Sequence, residues 1–111
     1  MITRYAFFEG TLEPDQREAF RRAVIADLLP TWIVYPGAVD VRVAFCTEAD
    51  AGAPSYPLIL AVDFPDRAAL NRALNSQQRI DSRAMTQRVL PQFGAFRIHH
   101  HVTEAASFPT A

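Results

Sequence analysis

The sequence contains no lysine, and it has only one cysteine and four glycines among its 111 residues. Because Cys46 stands alone, neither an intrachain disulfide nor a cysteine-based zinc site can form. The few glycines leave little material for a phosphate-binding loop, and neither a nucleophile elbow nor a dinucleotide-binding fingerprint is present. These absences argue against the common nucleotide-binding and disulfide-rich classes.

Charge of one sign and long hydrophobic runs are also missing. The 11 basic residues, all arginine, nearly balance 12 acidic residues, and the formal net charge is -1. Nucleic-acid binding needs a surplus of positive charge on one face, so no nucleic-acid partner is expected. No apolar run approaches the roughly 20 residues that span a bilayer, and the chain start does not resemble a signal peptide. We therefore expect a cytoplasmic protein with no membrane partner.

What the sequence does have is apolar residues, which make up 50% of the chain and suffice for the core of one domain, residues 1–111. Their periodicity predicts a strand, a helix, two strands, a helix and a strand. The first helix is expected to end or kink at Pro30, and the second to be interrupted at Asn75 and Ser76. After that break, helical spacing resumes through Ile80, Ala84, Met85 and Val89. The predicted bounds are 5–8, 14–29, 39–46, 58–64, 66–90 and 96–102.

This order predicts an α+β protein of ferredoxin-like βαββαβ topology, in which two helices cover one face of a four-stranded antiparallel sheet. The helix-facing set of the second strand is predicted to be Val39, Val41, Val43 and Phe45. The run 58–64 is apolar on both faces, so the open face of the sheet is expected to expose a hydrophobic patch that favours association. The same face of a second copy would cover it with two-fold symmetry. We therefore expect a homodimer, with a cavity for a small hydrophobic molecule.

Two segments resemble a known superfamily. They are the connector 29–37, Leu-Pro-Thr-Trp-Ile-Val-Tyr-Pro-Gly, and the last strand from residue 96, Phe-Arg-Ile-His-His-His. Together with the element order, which covers nearly the whole chain, they resemble the dimeric α/β-barrel superfamily and its EthD-like proteins. The resemblance implies relatives such as cofactor-free monooxygenases, lactone isomerases, polyketide cyclases and stress-responsive proteins. The fold does not choose among these, so enzymatic activity stays open, and no cofactor is expected.

Three consecutive histidines are the sharpest local feature. On a strand, His99 and His101 share one face with Arg97, whereas His100 lies on the other face, expected to be the helix-packed one. In the cavity, His99 could act as a general base, with Arg97 and His101 contacting the substrate. The alternative is that the histidines are solvated at a fraying strand end.

A metal site is the other interpretation of the histidines. Two imidazoles on one strand face can reach the same ion, but a catalytic zinc usually needs a third protein ligand. Asp40 or Asp63 could supply one, although nothing in their spacing points to them. No metal is therefore expected.

Arg42 and Tyr5 complete the predicted catalytic set. Arg42 could stabilise developing negative charge, or it could form a salt bridge at the rim with Asp40, Glu9 or Asp63. Tyr5 could donate its phenolic hydrogen to a substrate, although the pattern leaves open which face of the first strand lines the cavity.

Two aromatic residues of the connector, Trp32 and Tyr35, are predicted to wall the substrate pocket, with a plain core role as the alternative. The exposed loop 47–57 is a predicted lid. Three functions remain: acid–base chemistry on a small hydrophobic oxygenated molecule, a non-catalytic ligand-binding or stress-associated module, or a structural dimer.

Overall fold

The computed structural model describes residues 1–111 and contains one sheet with helices packed on one of its faces. The strands are β1 (Ile2–Glu9), β2 (Asp40–Phe45), β3 (Leu58–Phe64) and β4 (Arg97–Glu104). The helices are α1 (Arg17–Ala23), α2 (Leu29–Trp32), α3 (Arg67–Leu74) and α4 (Gln77–Val89). A π-helical segment, Val24–Leu28, joins α1 to α2, and short 3-10 turns lie at Pro14–Gln16 and Leu90–Gln92.

The sheet is antiparallel throughout, with the spatial order β2-β3-β1-β4. This is the predicted ferredoxin-like α+β topology, and the predicted strands agree with the observed ones to within a few residues at either end. The apolar run of β3 occupies a central position, as expected from its sequence. None of the helices is both long enough and apolar enough to cross a bilayer.

The hydrophobic core lies between the sheet and the helices. Alternate side chains of β1 and β3, including Phe8, Leu58 and Phe64, are buried there because successive strand residues point to opposite faces. The apolar stripe of the first helix meets them, with Phe20, Val24 and Leu28 at most 1% exposed. The helix-facing set of β2 is half-buried, except that Val39 precedes the strand and is 56% exposed.

Pro30 neither ends the first helix nor leaves it regular. The helix continues to Trp32 through a π-turn, in which the N–H of Leu29 donates to the carbonyl of Val24. In a regular α-helix Pro30 would lack its hydrogen bond and its ring would clash with the carbonyl of Ala26. The wider turn relieves that conflict, so the predicted end at residue 29 is wrong by one helical turn.

The second helix is broken as predicted, and each half has its own N-cap. The Asp66 carboxylate accepts a hydrogen bond from the N–H of Ala69 at 2.8 Å, and the Ser76 hydroxyl accepts one from Arg79 at 3.3 Å. Such caps satisfy backbone donors that have no partner within the helix. The break at Asn75 lets α4 begin in a new direction.

The inward side of α4 agrees only in part with its apolar residues, because Met85 and Val89 face the core but Ile80 and Ala84 do not. Ile80 is 60% exposed, whereas Ser82, Thr86 and Val89 are buried. A stripe with two hydroxyl side chains thus faces the sheet, and this orientation places polar groups next to the core.

Candidate functional site

A cleft of about 380 Å³ opens between α4 and the helix-facing side of the sheet. Apolar side chains of β1 and β3 form its floor, namely Ala6, Phe8 and Leu60. Trp32 and Tyr35 close one end. The polar residues that line it are Arg4, Arg79, Ser82, Arg83, Thr86, Gln87 and His100. The cleft therefore combines a hydrophobic base with a polar wall.

Three guanidinium groups face this space, and none has a carboxylate partner. Arg4 comes from β1, while Arg79 and Arg83 lie one turn apart on α4 and so share a helix face. No aspartate or glutamate lines the cleft, and none of the three arginines forms a salt bridge. Burial and the charge of Arg79 lower the pKa of Arg4 to about 10. The cleft therefore carries an uncompensated positive charge.

His100 stands at the mouth of the same cleft, on the helix-facing side of β4 as predicted. Partial burial lowers the pKa of His100 well below its ordinary value, and the nearby charges of Arg4 and Arg79 act in the same direction. The imidazole is therefore neutral at pH 7. A neutral imidazole offers one nitrogen as a hydrogen-bond acceptor or base.

A chain of hydroxyl hydrogen bonds fixes one wall of the cleft. The Ser82 hydroxyl donates to the carbonyl oxygen of Arg79 at 3.0 Å, so its single hydrogen is used. The Tyr35 hydroxyl, 2.5 Å from Ser82, must then be the donor in that pair. Thr86 donates to the Ser82 carbonyl at 2.8 Å. Tyr35 is thereby tied to the backbone of the turn that carries Arg79.

An apolar cleft of about 510 Å³ adjoins the first. Thr86, Gln87 and Ile98 line both spaces, so the two are continuous along α4 and β4. Beyond this boundary the walls are made mainly of Leu90, Pro91 and Phe96. A molecule that entered here would meet hydrophobic surface at one end and arginine at the other.

The histidines that the sequence singled out lie on the opposite, open face of the sheet. His99 and His101 pair with Phe7 and Tyr5 across β1 and β4. Their rings form an aromatic cluster, in which the Phe7 ring is 5.6 Å from His99 and 5.1 Å from His101. The Tyr56 ring lies 5.7 Å from His99. Tyr5, Phe7 and the two histidines thus share one surface, and Arg97 lies on the same side of β4.

Arg42 is on this face as well, but far from the histidines. It lies on β2 at the opposite edge of the sheet, with β3 and β1 between it and β4. Its guanidinium bonds Asp40 at 3.0 Å and forms a two-pronged pair with Asp63. This is the salt-bridge alternative considered from the sequence. Arg42 holds the pKa of Asp63 below its ordinary value, and a hydrogen bond from Thr3 at 2.6 Å contributes.

The seven predicted site residues are therefore divided between two surfaces. Trp32 and Tyr35 line the cleft on the helix side, where Trp32 is only 3% exposed and also belongs to the core. The other five, Tyr5, Arg42, Arg97, His99 and His101, lie on the open face. No group of three or more His, Cys, Asp or Glu side chains lies close enough together to hold a metal ion.

Apart from Trp32 and Tyr35, the residues that line the helix-side cleft were not predicted as a site. Arg4 shares its strand face with Ala6 and Phe8, and this alternation could have revealed an arginine directed toward the core. Arg79, Ser82, Arg83 and Thr86 recur at helical spacing, but the apolar residues of α4 dominated its interpretation. The signal available in the sequence was this stripe of polar residues on a helix that is expected to cover the sheet.

Comparison with known proteins identifies the fold. No protein-family model and no curated protein matches the sequence. An EthD family protein from Bacillus halodurans has a TM-score of 0.74 at 17% identity, over 96% of this chain and 99% of that chain. HapK from Hahella chejuensis has a TM-score of 0.63 at 18% identity, over 100% and 98% of the two chains.

A third similar structure is that of SnoaB, a cofactor-independent oxygenase from Streptomyces nogalater. It has a TM-score of 0.61 at 16% identity, over 96% of this chain and 94% of that chain. Each match spans nearly the full length of both proteins, so the likeness concerns the whole fold. The expected ferredoxin-like fold is confirmed, and it is shared with an EthD family protein and with a cofactor-independent oxygenase.

Proposed function

We propose that this protein binds a small hydrophobic, oxygenated molecule in the helix-side cleft and transforms it by acid–base chemistry that needs no cofactor. One observation carries the proposal: unpaired guanidinium groups and a neutral imidazole surround an apolar floor. Ligand sites are typically apolar concavities with a few convergent polar groups. The oxygenase of similar fold supports the reaction class by analogy only.

The chemistry that these groups support is proton abstraction. A phenolic O–H, or a C–H next to a carbonyl, would lose its proton to the free nitrogen of His100, and the electron pair would remain on the substrate as an oxyanion. Arg4 and Arg79 would stabilise that anion, because charge-assisted hydrogen bonds gain strength away from bulk water. The imidazolium would then return the proton to the product at another atom, completing an isomerisation.

The open face offers the second candidate site, with His99 as base and Tyr5, Arg97 and His101 as substrate contacts. The cluster of aromatic rings around Phe7 supports it. A second copy would have to enclose this surface, and Arg42 would have to leave Asp40 and Asp63 to take part.

Matched histidine variants distinguish the two sites. Turnover of a panel of quinols, lactones and polyketide-like phenols would be measured for the wild type, His100→Gln and His99→Gln. We expect loss of His100 to lower kcat by about 100-fold or more, as for removal of a general base, and loss of His99 to have little effect. The reverse pattern would move the site to the open face. Tight binding without turnover would support the alternative, a non-catalytic ligand-binding or stress-associated module.

We also propose that the chain is a cytoplasmic homodimer that pairs through its open face. The aromatic cluster there, together with half-buried Ile59 of β3, is apolar surface with no helix over it. Sedimentation velocity tests this with Phe7→Glu, expected to be monomeric, and Ile25→Glu on the outer side of the first helix, expected to remain dimeric. A wild-type protein that sediments as a monomer at high concentration would refute the dimer.

A further inference from the structure

The charge of the helix-side cleft and its apolar extension together define a ligand class. We propose that the ligand is an amphipathic carboxylate, whose anionic group binds Arg4, Arg79 and Arg83 and whose apolar body lies against Leu90, Pro91 and Phe96. This inference rests on the proposed function of the same cleft and names what that cleft binds.

The anionic end follows from the arrangement of charge. Side chains from two separate elements, β1 and α4, direct three cations to one space that contains no acidic residue. Like charges brought together repel one another, and burying one without a partner adds a desolvation cost. Arg4 bears that cost, since it is half-buried and forms no salt bridge. A carboxylate is the ordinary complement of such a group, because its two oxygens match the guanidinium fork.

Hydrogen bonds also hold the backbone of Arg79. The hydrogen-bond chain from Tyr35 through Ser82 reaches the carbonyl oxygen of Arg79, and Ser76 caps the N–H of the same residue. The backbone from which Arg79 extends is therefore held in place before a ligand arrives, which lowers the entropic cost of binding.

The apolar end follows from continuity. Thr86, Gln87 and Ile98 line both clefts, and beyond them the surface is mainly hydrophobic. Ile98 is 36% exposed there although it faces the helix side of the sheet. A purely ionic ligand such as acetate would leave this surface in contact with water, whereas a ring system attached to the carboxylate would cover it.

The carboxylate would also alter His100. Arg4 from β1, Arg79 and Arg83 from α4, and the neighbouring His99 all disfavour a proton on its imidazole. An anion bound to the arginines would offset their charge, so the pKa of His100 would be higher with a carboxylate in the cleft than with an uncharged ligand of the same shape.

Three small probes test the proposal by calorimetry, in a buffer low in competing anions. They are 2-naphthoate, which has both features, 2-naphthamide, which keeps the shape without the charge, and acetate, which keeps only the charge. We expect naphthoate to bind at least about tenfold more tightly than either of the others, the difference that about 1.4 kcal/mol makes in a dissociation constant. Amide NMR shifts would locate each probe.

Variants on α4 supply the control. Arg79→Gln and Arg83→Gln should each weaken naphthoate binding several-fold and leave naphthamide unchanged, whereas Arg88→Gln, on the same helix outside both clefts, should change neither. The NMR-determined pKa of His100 should be higher with naphthoate bound than with naphthamide bound.

The outcomes separate the inference from the proposed function. Equal binding of naphthoate and naphthamide in the cleft would overturn the anionic end, and equal binding of acetate and naphthoate would overturn the apolar end, with the cleft still a ligand site. Failure of all three probes to shift any residue of β1 or α4 would count against the cleft itself, and with it the proposed function.

Discussion

The two faces of the sheet use arginine in opposite ways. On the open face, Arg42 is bonded to Asp40 and Asp63, and Asp63 in turn accepts a hydrogen bond from Thr3. On the helix side, Arg4 shares a cleft with Arg79 and has no acidic neighbour. The charge of Arg42 is therefore neutralised within the chain, whereas the charge of Arg4 and Arg79 has no carboxylate partner.

This contrast separates a structural charge from one available to a ligand. Arg42 looked equally suitable for catalysis in the sequence, because its position on the less apolar face of β2 is compatible with either role. In the folded chain Arg42 is bonded to two carboxylates, so few of its N–H donors remain free for a substrate anion. Arg4, which stands between apolar residues of β1, is the one without such partners.

The largest expected effect compares neighbouring phenylalanines on the two faces. Phe8 is 2% exposed in the core, so Phe8→Ala should lower the free energy of unfolding by about 3–5 kcal/mol. Phe7 is only half-buried, so Phe7→Ala should cost about 1–2 kcal/mol in the isolated chain. Urea unfolding would measure both values. If Phe7→Ala lowered the free energy of unfolding as much as Phe8→Ala at every protein concentration, Phe7 would be buried within the single chain, and the face that carries it would not be exposed.

An intermediate effect compares paired and unpaired arginines. Arg42→Met leaves Asp63, whose side chain is 13% exposed, without its cation, and should destabilise the fold by roughly 1 kcal/mol. Arg83→Met removes a charge that only repels its neighbours, and should leave stability unchanged or slightly higher. Thermal unfolding at low and moderate salt would measure the difference. If Arg83→Met proved the more damaging, the helix-side cluster would be structural after all.

The smallest effect concerns pH. His100 should titrate well below 6.5 in an NMR experiment, and Arg79→Gln should move its pKa upward by removing one of the nearby charges. Because the unfolded chain binds this proton more readily than the folded one, stability should decline as the pH falls from about 6.5 toward the folded pKa. A His100 pKa at its ordinary value in the wild type would contradict the electrostatic account of the cleft.

Much of the fold was predictable because its signals are local. The alternation in β2, the continuous apolar run of β3, the cap at Asp66 and the break at Asn75 and Ser76 depend on residues a few positions apart. The passage through Pro30 was not predictable in this way, since either a helix end or a wider turn satisfies a proline. Tertiary packing of Trp32 into the core is what favours the longer helix.

The candidate site was harder to predict because it joins distant parts of the chain. Arg4 and Arg79 come to line one cleft only when the chain folds, and no spacing rule connects them. The consecutive histidines drew attention to the strand that carries His100, and their alternation separates His100 from His99 and His101, as observed. What the sequence could not supply was which of the two faces would gather unpaired charge.

The π-turn at Val24–Leu28 has a consequence for how this chain can vary. Such a turn holds one residue more than the regular helix would, so the segment acts as a built-in insertion. Losing a single residue there would return the turn to a regular α-helix, in which the Pro30 ring would clash with a carbonyl oxygen of the preceding turn. Exposed Ile25 and Ala26 can therefore change in identity far more freely than the segment can change in length. Sequences that share this cleft should keep that length constant even where their residues differ.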